Sequence, residues 1–151
     1  MRTGLVAVML VAAVSAVRAA EPHVSAYVEE RQARMRGMEE ALLVLELMAR
    51  GVLPHDPQLA ARKAADLAIQ AGGIADSFGD TPASRWGPTS RAAQSVWTDR
   101  ADFLVRAADL EARALALIDI ARDPDARALL PGAVAEMRAT CESCHARHMK
   151  R

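Results

Sequence analysis

Residues 28–49 read VEERQARMRGMEEALLVLELMA, and within them Val28, Arg31, Met35, Met38, Leu42, Leu45 and Ala49 recur at alternating spacings of three and four. That is the period of one face of an α-helix, with the width of a bundle's inner seam. Met48 flanks this stripe. Arg31 is out of character on it: a buried guanidinium needs a partner, although one near a helix end can also reach water. Gly51 is a fitting helix stop, and Pro54 follows it.

Working outward, Asp56-Pro57 reads as an N-cap with a first-turn proline. A second stripe follows at Ala60, Ala64, Leu67, Ala71, Ile74 and Phe78, and Gly79 is expected to end it. Residues 79–90 carry Gly79, Pro82, Gly87 and Pro88 and form the long connection. Thr89 or Ser90 is the expected cap of a third helix, with Val96, Phe103, Ala107, Leu110, Ala114, Leu117 and Ala121 as its stripe. Asp123-Pro124 repeats the cap-plus-proline signal, and Pro131 is expected to kink or restart the last helix. Val134, Met137, Cys141, Cys144 and His148 then fall along one side. No strand alternation and no internal repeat interrupts this pattern. The fold class is all-α, an antiparallel four-helix bundle.

The chain has 151 residues, the size of one domain. Arg2 followed by the apolar run 4–17 and by Val17-Arg18-Ala19 has the layout of an export signal cleaved after Ala19. An uncleaved N-terminal anchor is the alternative, but the run is short and alanine-rich for a membrane span. The expected division is therefore 1–19 signal peptide and 20–151 mature domain, exported to the periplasm if the source is Gram-negative. Loss of Arg2 and Arg18 leaves seventeen basic against nineteen acidic residues, which argues against a nucleic-acid partner. Aromatic residues make up only 3% of the chain, so a large flat apolar cofactor would supply bulk that the sequence lacks.

Near the C-terminus stands Cys141-Glu142-Ser143-Cys144-His145. Two cysteines three apart with histidine next suit covalent haem attachment: each thiol adds across a vinyl group, and the histidine supplies an axial imidazole. Both cysteines of the chain lie in this motif. A redox-active cysteine pair normally sits where a strand meets a helix N-terminus, which is not the context here. A zinc site would need two more ligands, and His148 is expected to point elsewhere or to solvent. A disulfide across so small a loop would stabilise little. His23 and His55, in terminal and loop segments, read as solvated.

These features together resemble the cytochrome c′ family over about residues 24–151. Arg31-Gln32 followed by Met35 is similar to the first-helix signature, Phe78-Gly79 to the aromatic-glycine end of the second helix, and Val96-Trp97 with Phe103 to the third. The resemblance implies one covalent haem c on Cys141 and Cys144, with His145 on the iron. It implies that Arg31 and Gln32 approach the haem propionates, and that Met35 faces the iron from the opposite side. Phe78 would serve as core and as cofactor contact. The chain departs from the family where an aromatic and then a basic residue usually follow the ligand histidine by three and four positions. Here those are His148 and Met149, and Ala75 replaces a frequent aromatic.

Family members divide by the sixth position of the iron. A first-helix methionine ligand accompanies electron transfer with redox partner proteins, and an open apolar site accompanies binding of nitric oxide or carbon monoxide. Met35 as sixth ligand and electron transfer is the favoured expectation, with the five-coordinate gas binder as the alternative. No general acid–base constellation accompanies the motif, so an enzyme is not expected. Homodimers are common in the family, and exposed apolar positions on the first two helices offer a face for one. A helical partner-binding module without haem would require the motif to be accidental.

Overall fold

The computed structural model describes residues 24–150 apart from Trp86 and Pro88. The expected signal segment 1–19 and His23 lie outside the described residues. Four long helices, α1 (Val24–Ala49), α2 (Pro57–Gly72), α6 (Arg100–Arg122) and α7 (Ala126–His148), form the bundle. Three one-turn helices, α3 (Ile74–Ser77), α4 (Pro82–Arg85) and α5 (Ser95–Thr98), sit in the connection between α2 and α6. α1 packs on α2, α2 on α6, α6 on α7 and α7 on α1, which closes the ring. Among the described residues, no helix is long and apolar enough to cross a membrane.

Local chemistry explains the ends of α1 and α2. Gly51 adopts φ 72°, a left-handed conformation that glycine enters without a Cβ clash. Its N–H donates to the Met48 carbonyl at 3.0 Å, and Val52 N–H donates to the Leu47 carbonyl at 2.9 Å. These paired bonds satisfy two carbonyls that the helix end would otherwise leave open. Asp56 caps α2 by accepting from Gln58 N–H at 2.9 Å and Leu59 N–H at 3.0 Å, with Pro57 in the first turn.

The second stripe is buried as expected, but the helix carrying it is not continuous to Phe78. It breaks at Gly73 and α3 begins at Ile74. The Arg34 guanidinium occupies the space that a Cβ at position 73 would need, and its Nη1 donates to the Gln70 carbonyl at 3.4 Å. Neither Thr89 nor Ser90 caps a helix. The chain stays non-helical to Gln94, forms α5, breaks at Asp99 and enters α6. Around that break, Trp97 Nε1 donates to the Gly79 carbonyl at 3.2 Å. Arg100 donates to the Phe78 and Ala75 carbonyls, both at 3.0 Å, and so covers the open end of α3.

Asp123 also acts one step differently from expectation. Its carboxylate accepts the Asp125 N–H at 2.8 Å, so it organises the turn, and α7 starts only at Ala126. Pro131 neither restarts nor ends α7, which runs through it. Pro131 is exposed, and water can serve a carbonyl left without its helical donor there.

Leu42, Leu45, Leu67, Leu117, Leu130 and Met137 fill the centre and are almost fully buried. Ala60, Ala64, Ala114 and Ala121 are completely buried and let α2 and α6 approach closely. Each sealed leucine contributes roughly 1.5–3 kcal/mol by leaving water. Leu45→Ala is expected to destabilise the bundle by about 2–5 kcal/mol through lost burial plus a residual cavity. Asp56→Ala, which removes only a cap, is expected to cost about 1 kcal/mol. Urea unfolding midpoints of the two variants check both values and their order.

Candidate cofactor site

At one end of the bundle the helices part around two adjoining hollows, of about 410 Å³ and about 130 Å³. Met35 and Glu39 from α1, Phe103 from α6, and Cys144 and His145 from α7 line both, so the two form one cleft. The larger hollow adds Arg31, Gln32 and Phe78, and the smaller adds Cys141. Every residue that the sequence nominates for cofactor or iron binding therefore meets at this cleft. The combined space is in the range of a cofactor pocket.

Burial raises the pKa of both thiols, so Cys141 and Cys144 stand as neutral, half-buried thiols. A redox-active pair needs the opposite shift. The His145 imidazole is open to the cleft, and its pKa is lowered, first by desolvation and then by the Arg91 charge. A neutral imidazole has the lone pair that an iron ligand needs. Among the described residues no group of three or more His, Cys, Asp or Glu side chains could hold a metal ion.

Arg31 is 4% exposed. Its Nη1 donates to the Ser84 carbonyl at 2.7 Å, the Ser84 hydroxyl at 3.1 Å and the Ser77 carbonyl at 3.4 Å. Its guanidinium lies 4.8 Å over the Phe78 ring. All these partners are neutral, and Nη2 is buried with no partner. Desolvation lowers the Arg31 pKa, against an opposing contribution from Glu30. A buried cation with an idle donor in a cleft wall is suited to an anionic group entering that cleft. A haem fits on this ground, since it carries carboxylates on one edge and needs thiols and an imidazole at another.

Gln32 donates its amide N–H to the Thr89 carbonyl at 3.1 Å, which ties α1 to the long connection. Phe78 packs against Phe103 with ring centroids 5.2 Å apart and against Trp97 at 6.4 Å. His148 does not reach solvent: it is 5% exposed and lines the larger hollow alongside His145. Its Nε2 lies 3.0 Å from Asp102 Oδ2 and its Nδ1 3.1 Å from Ser95 Oγ. Its ring meets Phe103 edge-on at 5.4 Å, so it does the packing of the aromatic residue that the family resemblance would place there. Asp102 also binds Arg106 and Arg147, and Arg106 is the first cause of its lowered pKa. His55 is half-buried in its loop rather than fully solvated.

Sequence reasoning missed the charged wall. Arg138 forms two bonds with the Glu39 carboxylate, at 2.8 and 3.1 Å, and one with Glu46 at 2.7 Å. This joins α7 to α1 beside the cleft. No local spacing announces a pair so distant in the chain. The exposed Leu43 on α1 and Ile69 on α2 are apolar surface of the kind expected there.

A family model described as Cytochrome C' matches residues 26–148. Among solved structures, cytochrome c prime from Shewanella frigidimarina aligns with a TM-score of 0.77 at 23% identity, over 87% of this chain and 99% of that one. Cytochrome c' from Rubrivivax gelatinosus gives 0.76 at 25% identity, over 85% and 98%. A ferrous variant of cytochrome c prime from Alcaligenes xylosoxidans with bound NO gives 0.73 at 21% identity, over 87% and 99%. No curated protein matches.

The Glu39 pKa is lowered from its ordinary 4.5, chiefly by the Arg138 hydrogen bond. A carboxylate with a depressed folded-state pKa stabilises the fold above its unfolded pKa and loses that contribution as pH falls through the folded value. Arg138→Gln is therefore expected to destabilise the protein at neutral pH. The difference from the native chain should shrink as pH drops below about 4.5. Urea unfolding of both chains across that range measures it; a gap independent of pH would contradict the assignment.

Proposed function

The chain belongs to the cytochrome c′ family, and on that premise we propose that it is an exported electron carrier holding one covalent haem c between α1 and α7. A bound haem would supply a one-electron redox centre. The chain's own residues then divide the work of holding and shielding it. Cys141 and Cys144, one helical turn apart on α7, are the thioether attachment points. His145, the next residue, supplies the imidazole from the same helix. Arg31 offers its idle Nη2 to a propionate, and Gln32 has a second amide N–H beyond the one held by Thr89. Phe78 and Phe103 close the apolar side and exclude water.

One observation carries the choice of electron transfer: Met35 and His145 line the same cleft from packed helices. Met48, also on α1, lies in the core at 6% exposure, and Met38, at 7%, touches only the smaller hollow. Met35 is half-buried, with its side chain at the cleft. If both Met35 and His145 bound the iron, the ligand set would stay constant between oxidation states, which would suit fast electron exchange. A second reading has its own support. Val28, Val96 and Phe103 make part of the cleft wall apolar, and a relative of the same fold is known with bound NO. On that reading Met35 would only pack over the cofactor, and the apolar wall would admit a small neutral gas. The layout of residues 1–19 supports export, and the periplasm is the proposed location.

Haem staining of the denatured protein should give a positive band that Cys141→Ser with Cys144→Ser abolishes. The optical and paramagnetic-resonance spectra of the native protein should be low-spin, and Met35→Ala should make them high-spin. A native high-spin spectrum that Met35→Ala leaves unchanged would replace electron transfer by the gas-binding reading.

A further inference from the structure

Arg91 lies in the connection between α4 and α5, a segment that the bundle itself does not require. Yet its backbone is fastened to the end of α7. The Arg91 carbonyl accepts the Lys150 N–H at 2.7 Å, Ala93 N–H donates to the His148 carbonyl at 2.8 Å, and Ala92 pairs with Met149 as an antiparallel bridge. The two preceding carbonyls are held as well: Lys150 Nζ donates to Ser90 at 3.1 Å and Gln32 to Thr89 at 3.1 Å. The position of Arg91 is thus set by His148, the last residue of α7, and by the two residues that follow it.

The Arg91 side chain lines the larger hollow together with His145. The other charged side chains lining this hollow are Arg31, Arg36 and Glu39 of α1; Arg31 is buried against the serines of the connection, and Glu39 is bound to Arg138 through two hydrogen bonds. Among the described residues no ion pair involves Arg91.

We infer that Arg91 is a positioning residue for redox function: it holds an uncompensated cation beside the His145 imidazole and so raises the reduction potential of the iron that His145 binds. This rests on His145 being the axial ligand. A fixed positive charge favours the oxidation state with less positive charge on the metal, which is the reduced one. It also draws electron density from the imidazole, so the ligand stabilises ferric iron less. Arg91 is exposed, so its field is screened by salt.

The test uses the full haem-loaded chain. Midpoint potentials are measured for the native protein, Arg91→Gln, Arg91→Lys and the control Arg62→Gln, which removes the same charge from α2 away from the cleft. Arg91→Gln is expected to lower the potential and to keep the native visible spectrum, because the clasp uses backbone atoms of residue 91. Arg91→Lys should restore most of the potential, Arg62→Gln should leave it unchanged, and the gap between native and Arg91→Gln should narrow at high ionic strength. An Arg91→Gln potential equal to the native one, or an Arg91→Lys shift as large as that of Arg91→Gln, overturns the inference. His145→Ala with an unaltered native spectrum overturns instead the ligand reading beneath it.

Discussion

The buried guanidinium of Arg31 is the constraint around which the cleft is organised. It is a full charge inside the protein, held by serine backbone and hydroxyl oxygens and by an aromatic face, with one donor nitrogen unmatched. A lone buried ion is unfavourable unless its hydrogen-bonding capacity is met. Here that requirement draws in the ends of two short helices. Ser77 ends α3 and Ser84 lies in α4. The connection between α2 and α6 therefore folds over α1 instead of looping into solvent. With it come Phe78 and, through Trp97 and Arg100, the start of the third long helix.

Charge and apolar packing divide the bundle lengthwise. Away from the cleft, leucines and small alanines seal the centre. At the cleft end, ion pairs take over the work of joining helices. Arg138 reaches two glutamates of α1, while Asp102 gathers Arg106, Arg147 and His148. These pairs are partly solvated, and each contributes modestly. Their larger effect is orientation, because they fix α7 against α1 and α6 where apolar contacts have been given up to open space.

The long helices were legible because helical period and burial are the same physical fact read twice. Every residue of the second and third stripes is buried, from Ala60 to Phe78 and from Val96 to Ala121. The Gly51 stop and the Asp56 cap were equally local and equally readable. What escaped was set by distant partners. The break at Gly73 has the Arg34 guanidinium of α1 packed against it, and the break at Asp99 accompanies contacts to the end of α3. The motif at residues 141–145 and the Arg31–Gln32–Met35 group could be named because spacing carries them. The roles of Glu39, Arg91, Arg138 and His148 could not, because each depends on a side chain far off in sequence.

The arrangement of the two helical hairpins has a consequence for assembly. α1 and α2 are joined by one short turn, and α6 and α7 by another, so each pair can form from local contacts. The cleft belongs to neither. Arg31, Gln32 and Met35 stand on the first hairpin, while Cys141, Cys144 and His145 stand on the second. On the proposed reading, a cofactor bonded to α7 is already a resident of one hairpin when the other arrives. Its encounter with Arg31 and Met35 is then intramolecular, governed by an effective concentration instead of by the supply of free cofactor. Weak individual contacts on α1 can hold it firmly under those terms, and the docking of the hairpins and the gripping of the cofactor become a single event.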